Sequence, residues 1–559
     1  MTERCDIVIV NGRVLTMAGT QPRAQAIAIA GQEIVAVGDN EAIRAVASPE
    51  TRVIDAGGRS VLPGFIDSHV HLFQGAAELD FVAVGGLSDL REVAPLIRDY
   101  ADARPQEPLI LGVGAFYDLF AGPGPSPRAR LDAIISERPF ALLAADLHTV
   151  WANSAALTKA GLAQGAAMPE GSTVVTDADG NATGTLLETG AFGPVLSLSR
   201  TGGRDMAGYV TGADPVPPAT PDQRRADKAL LVKGLNHAAA HGITALHNMD
   251  GNTYLLELLQ EIEAEGQLHC RVQVPFHLKN FDPVERVDEA LEMHRAFQGD
   301  KLWSGRVKMF MDGVFESRTG LKIAAYPDQP DNHGEAVFQP DAFNAACIRA
   351  DAMGLQISVH AIGDLAVRRV LDGYEAARKA NGARDARHRI EHIELISDAD
   401  VDRMVSLDAV ASMQPRHAAF AGFFEPPAPD TVFFAEEHAR AFAWRTIRDR
   451  GIPLAFSTDW PVVPVDVLGN LQAAVAPLDL GPDWPDQAQT LSEALRSYTA
   501  TNAWLGFREN LHGTLRPGLR ADVVILGGDI EACDGAEIGG LGIAMTLCDG
   551  AITFDSGAL

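Results

Sequence analysis

The chain has 559 residues, 47% of them hydrophobic, enough to bury a large core and a length that suits one elaborated barrel or roughly two to four domains. With 46 Lys and Arg against 74 Asp and Glu, the net charge of −28 repels nucleic acid and anionic membranes and serves solubility. No run of about 18 uninterrupted apolar residues marks a membrane span, and the opening MTERCDIVIVNGRVLTM has neither a basic nor a sustained apolar leader, so a cytoplasmic protein is expected. The five scattered cysteines, Cys5, Cys270, Cys347, Cys533 and Cys548, argue against a disulfide framework or a thiolate zinc site and read as buried free thiols.

Residues 1 to about 60 alternate in short segments, CDIVIVNGRVLTM, AIAIAGQEIVAVGD and TRVIDAGG, with Asn11-Gly12 and Gly31-Gln32 as turns. This predicts a small antiparallel sheet, too small for a core of its own. The pattern returns at the far end in GTLRPGLRADVVILGG and AMTLCDGAITF, so residues 1–60 and 506–559 are expected to pair into one composite β-sandwich interrupted by everything between. Next comes VLPGFIDSHVHL, Val61 to Leu72, entered by a turn at Pro63-Gly64. Strand periodicity sends His69 and His71 to one face. Residues 73 to 222 fit no single repeat and read as a substrate-shaping insertion that closes with the linker DPVPPATP.

From about 223 the rhythm becomes helix then strand. ALLVKGLNHAAAHG leads into GITALHNMD, PVERVDEALEMHRAF into GRVKMFMDG, PDAFNAACIRADAMG into LQISVHAIG, and HARAFAWRTIRDRG into IPLAFSTDWP, with three further pairs between. Counting the opening strand, residues 61–505 hold eight strands separated by helices, the number an α/β fold of the closed (β/α)8 barrel type requires. Reactive groups of such a barrel lie at the carboxyl ends of its strands. There stand His69 and His71 on the first, Lys308 on the fourth, His360 on the fifth, His392 on the sixth and Asp459 on the eighth. Each has an ordinary alternative as a strand-end cation, a satisfied core histidine or a helix cap, but their joint placement points to a metal site.

These motifs, VLPGFIDSHVHL, VKMFMDG, VHAIGD, HRIEHIE, QPRH, STDWPV and GTLRPGLRADVVIL, together resemble the amidohydrolase superfamily over nearly the whole chain, and within it the family 3 subgroup, best known for deformylating N-substituted formamides. The resemblance implies two zinc ions, one on His69, His71 and Asp459, the other on His360 and His392, with Lys308 bridging them as a carbamate. The residue types fit this chemistry. Neutral imidazoles and carboxylates suit zinc. Burial lowers a lysine's pKa, and the free amine can then be carboxylated into an anionic ligand. A coordinated water is acidified to a pKa of about 7, and Asp459 is placed to act as general base, then acid, in amide hydrolysis.

The same resemblance places His148 and Trp151 of DLHTVWANSAAL on the substrate side, with Arg318, Arg389, Gln414 and His417 near strand ends as further substrate contacts. Val314, Phe315 and Glu316 depart from the subgroup's pattern after DG, so the small-molecule substrate stays open, and relatives imply a homodimer. His237 and His241 lie four apart on a helix of the outer ring without a protease motif's glutamate, and the glycines near Gly542 read as a turn. Two other readings stand beside amide hydrolysis: a mononuclear deaminase of a heterocyclic amine, which uses no strand-four lysine, and a non-catalytic assembly protein, which predicts missing ligands where none is missing.

Overall fold

A computed structural model describes residues 5–169, 171–421 and 431–559. Its centre is a set of parallel strands: β1 (Phe65–Val70), β2 (Ile243–Asn248), β3 (Arg271–Gln273 and Phe276–His277), β4 (Leu302–Trp303 and Arg306–Phe310), β5 (Gln356–Ala361), β6 (Arg389–His392), β7 (Val410–Met413) and β8 (Leu454–Phe456). They are hydrogen-bonded as a four-stranded and a six-stranded sheet, not as the single closed ladder expected. The first seam falls where β3 and β4 are each broken. In β3 the break is at Val274-Pro275, and a proline has no N–H to give to a ladder. At the second seam β8 meets β1 through one parallel bridge, Val70 to Trp460, flanked by Asp459 N to His69 O at 2.8 Å and His71 N to Trp460 O at 2.7 Å.

The connecting segments form helices for local reasons. Pro221–Ala240, for example, begins in a capping box in which the Thr220 hydroxyl accepts from Gln223 N and the Gln223 side chain accepts from Thr220 N. The largest apolar cluster lies around the parallel strands and these helices, with Phe65, Leu235, Val307, Val359 and Trp444 fully buried. Among the described residues no helix is long and apolar enough to cross a membrane.

The inserted region is not a run of loops. It holds a six-stranded mixed sheet, including Ile110–Ala115, Phe140–Ala144, Thr149–Ala152 and Ala182–Leu187, with separate apolar clusters around Leu143 and Phe192 and around Leu142 and Ile97. Segments from the two chain ends share one sheet and one apolar cluster. Ser60–Pro63 pairs antiparallel with Val523–Leu526, and Ile9, Ile27 and Ile54 share a cluster with Val61, Ile525 and Leu547. The pairing is mixed, since Ile7–Val10 runs parallel to Arg52–Asp55 and Arg13–Leu15 parallel to Ser60–Pro63.

Pro63-Gly64 is a join and not the expected turn, because Ser60–Pro63 of the terminal sheet passes directly into β1. A Cβ on Gly64 would stand 2.2 Å from the Thr244 side chain. Gly64→Ala is therefore expected to cost about 1–3 kcal/mol by overpacking, read as a lower urea midpoint; an unchanged midpoint would show that β1 and β2 can part without penalty. Arg271 on β3 ties the parallel strands to the terminal sheet. Its buried guanidinium donates to Asp522 at 2.7 and 3.1 Å and to Asp549.

Candidate metal centre

Alternation along β4 puts Arg306, Lys308 and Phe310 on one side, and along β6 it puts Arg389 and Glu391 together. His392 should then face away. It does not, because His392 and Ile393 take the left-handed conformation, with φ of 76° and 51°, and Asp459 after β8 does the same at 62°. Non-glycine residues at positive φ are uncommon and cluster at functional sites. The turn brings the His392 ring to 4.9 Å from His69 and 4.5 Å from His360, centroid to centroid.

His69 Nε2 and His71 Nε2 both face Asp459 Oδ1, at 3.3 and 3.2 Å. Behind them, His69 Nδ1 meets Glu391 at 2.8 Å and His71 Nδ1 meets Asp250 at 2.7 Å. A carboxylate can only accept, so each Nδ1 carries a proton and Nε2 is the atom that offers a lone pair when the ring is neutral, the orientation in which second-shell carboxylates hold metal-binding imidazoles. Gln414 Oε1 does the same for His392 Nδ1 at 2.8 Å, while Gln414 Nε2 donates to Ser457 Oγ at 2.9 Å. His360 stacks on Phe310 and donates Nε2–H to Gly313 O at 3.0 Å.

The expected ligands His69, His71, His360, His392 and Asp459 line one cavity of about 50 Å³, along with His148 and His417. Two sets of ligand atoms there lie close enough to share an ion: His69, His71 and Asp459, and His392, His417 and Asp459. The second set keeps His392 of the expected pair but not His360, in whose place stand His417 and Asp459; the His360 Nε2–H is already given to Gly313 O. Lys308 is not on the cavity wall. Its buried ammonium lies 4.4 Å from the Phe310 ring centroid and has no hydrogen-bond partner among the described residues.

Burial pushes His69 down to about 4 and lowers His360 and His392 well below the ordinary range, so all three are neutral at pH 7. Burial also lowers Lys308 to about 8. For His71 burial works downward too, but the Asp250 and Asp459 carboxylates outweigh it and raise the ring to about 9. Burial would raise Asp459, yet the surrounding imidazoles hold it well below the carboxylate range. The donor set fits a divalent cation: neutral imidazole lone pairs and an ionised carboxylate converge, and Asp459 Oδ1 is buried without a hydrogen bond. A cation there would displace the His71 proton.

The other predicted contacts divide. His148 is on the cavity wall, its Nδ1 2.8 Å from Glu188, and the carboxylates of Glu188, Asp146 and Glu316 raise it to about 9 against the opposing effect of burial. Gln414 acts through His392. Arg389 does not reach the cavity, because its guanidinium is consumed by Glu391, Ser68 O and Ser412 Oγ. Trp151 packs in the inserted sheet against Tyr117 and Phe120, and Arg318 pairs with Asp328 at 2.8 Å. Both lie off the cavity wall because their own elements already engage them. Asp250, Glu391, Tyr209, Glu316 and Glu394 went unread. Asp250 ends HNMD after β2, the strand-end position that carries ligands elsewhere, and that signal alone could have found it.

Asp250→Ala is expected to lower metal affinity about 10- to 100-fold, measured by competition with a coloured chelator, because His71 loses the acceptor that fixes its tautomer. Unchanged affinity would mean that His71 does not bind the ion.

Residues 52–554 match the profile of a family described as the amidohydrolase family. The chain is 28% identical to Protein LONG AFTER FAR-RED 3 of Arabidopsis thaliana, covering 93% of this chain and 87% of that one. It is 27% identical to an N-substituted formamide deformylase of Arthrobacter pascens, covering 99% of each. Among solved structures it resembles an uncharacterized metal-dependent hydrolase of Pyrococcus furiosus, at 25% identity and a TM-score of 0.68, over 95% of this chain and all of that one.

Proposed function

Because this chain belongs to the amidohydrolase family and is a metal-dependent hydrolase, we propose that it cleaves the carbon–nitrogen bond of a small N-substituted amide or formamide. The observation that carries this reading is the meeting of His69, His71, His392 and Asp459 in a buried cavity, with Nδ1 of each imidazole already anchored. In this reading His69, His71 and Asp459 would hold one zinc ion, His360 and His392 would hold a second with His417 beside them, and Lys308, its free amine carboxylated by carbon dioxide, would supply a further anionic ligand. When bound, the ions polarise the amide carbonyl and acidify water. Asp459 takes the proton from the attacking water and hands it to the departing nitrogen as the C–N bond breaks, leaving an acid and an amine. The His148 imidazolium, held by Glu188, donates a hydrogen bond to the carbonyl oxygen as negative charge develops there. Tyr209 and Phe310 on the same wall keep bulk water out.

The architecture is read to match: the two parallel sheets as one (β/α)8 barrel over residues 61–505, with 73–222 inserted, and the two terminal sheets of 1–60 and 506–559 as a β-sandwich. The protein would work on its substrate in the cytoplasm as a homodimer. The test is metal content per chain together with a panel of N-formyl and N-acyl amines, with lactones and heterocyclic amines as controls. Two ions per chain and release of the amine are expected. One ion per chain with ammonia released from a heterocycle would make the protein a deaminase instead.

A further inference from the structure

A second cavity, of about 230 Å³, adjoins the first and shares His148, Tyr209 and Phe310 with it. Its wall is largely apolar, with Pro169, Val210, Phe281 and Val337 contributing, and Phe281 is 59% exposed at its rim. Lys279, which follows β3, stands in this wall half-buried. Its Nζ donates to Tyr209 O at 3.0 Å and lies 5.5 Å from the Phe310 ring centroid and 5.8 Å from that of Tyr209.

Among the described residues no carboxylate comes within 4 Å of that ammonium, in a chain with 74 acidic residues. The nearby carboxylates are each committed to another group: Glu188 to His148 at 2.8 Å, Asp250 to His71 at 2.7 Å and Asp282 to Arg286 at 2.8 Å. Asp312, also in the wall, accepts three backbone N–H groups, from Leu321, Ile362 and Gly363. Glu335 is exposed. A lysine so placed has two of its three N–H donors unspent and faces a cavity that shares His148, Tyr209 and Phe310 with that of the reacting centre.

We infer that Lys279 binds a carboxylate on the substrate, so that the substrates are amides in which an apolar group and a carboxylate occupy the second cavity while the scissile bond lies in the first. One ammonium balances the single charge of one carboxylate, and the two N–H donors left to Lys279 match its two oxygens. Burial lowers Lys279 to about 8, which leaves it mostly charged at neutral pH. The inference rests on the amide-hydrolase reading only for the identity of the bond cleaved.

The test compares N-formylphenylalanine with N-formyl-2-phenylethylamine, which differ by the carboxylate alone. The wild-type protein is expected to prefer the acid by about 10- to 100-fold in kcat/KM, with the ratio falling to about unity in Lys279→Met and largely kept in Lys279→Arg. A binding arm free of turnover uses calorimetry with 3-phenylpropionate and 3-phenylpropionamide on the same three metal-loaded proteins. There the acid should bind more tightly by a similar factor, and only where residue 279 is cationic. If no amide is hydrolysed, the amide-hydrolase reading fails while the calorimetry still decides the role of Lys279. Equal binding of acid and amide by the wild-type protein, or a preference for the acid that survives in Lys279→Met because the carboxylate sits on the metal, overturns the inference.

Discussion

Lys308→Met is expected to lower hydrolysis by about 10³-fold or more while leaving the fold intact or slightly more stable. Lys308 is fully buried, and its Nζ has no hydrogen-bond partner among the described residues. A structural lysine in that position would be an odd choice, since an unpaired buried amine costs stability that a methionine of similar length would not. Its burial beside Asp459, Glu391 and His392 makes sense if the nitrogen is converted to an anionic ligand. The variant should then hold fewer metal ions per chain, measured by elemental analysis, and melt at or above the wild-type temperature. A variant that keeps its full metal complement and most of its activity would remove Lys308 from the proposed centre. A variant that melts far lower would make the residue structural.

Arg271→Met is expected to cost about 3–5 kcal/mol, because it leaves the buried carboxylates of Asp522 and Asp549 without their shared cation. Both acids belong to the terminal sheet and the arginine to β3, so the loss should loosen the junction between the two. It would be read as a lower urea or thermal midpoint and as faster amide exchange in Val523–Leu526. The pH dependence has a definite sign. Burial raises Asp522, but the Arg271 guanidinium outweighs that and holds it below the ordinary carboxylate value, so its contribution is present above that value and lost as pH falls through the depressed one. Without Arg271 the largest opposition to burial is gone and only the Asp549 N–H and His512 still favour the ionised form, so the carboxyl's affinity for its proton rises and the deficit of the variant is largest near neutrality. It should shrink toward pH 4. A deficit that stays constant from pH 7 to pH 4 would assign the effect to lost packing.

Local pattern carried much of the site. The one-residue spacing of His69 and His71, and the placement of His360 and Asp459 at strand ends, follow from the period of a strand and from helix–strand alternation, both of which are written along the chain. His392 was found by its place at a strand end, although alternation with Glu391 should have turned it outward; the positive φ that brings it in is a backbone choice that no residue type there announces. Trp151 was misread because a tryptophan in a strand looks the same from sequence whether it faces a cavity or, as here, Tyr117 and Phe120. The insertion was read only as a region that fits no single repeat, because its short strands pair across distant segments, Phe140–Ala144 with Ile110–Ala115 and Thr149–Ala152 with Ala182–Leu187.

Sequence alone determined the helix-then-strand rhythm after residue 223 and the strand-end placement of His69, His71, His360, His392 and Asp459, since each depends on periodicity or composition within a few neighbours. Only the tertiary structure decided which carboxylate stands behind which imidazole, that Arg389 supports Glu391 without reaching the cavity, and that the Lys279 ammonium meets no carboxylate among the described residues. Those outcomes depend on register between strands far apart in the chain, such as Val70 opposite Asn248, and a charge is satisfied or left free by what lies within a few ångströms in space.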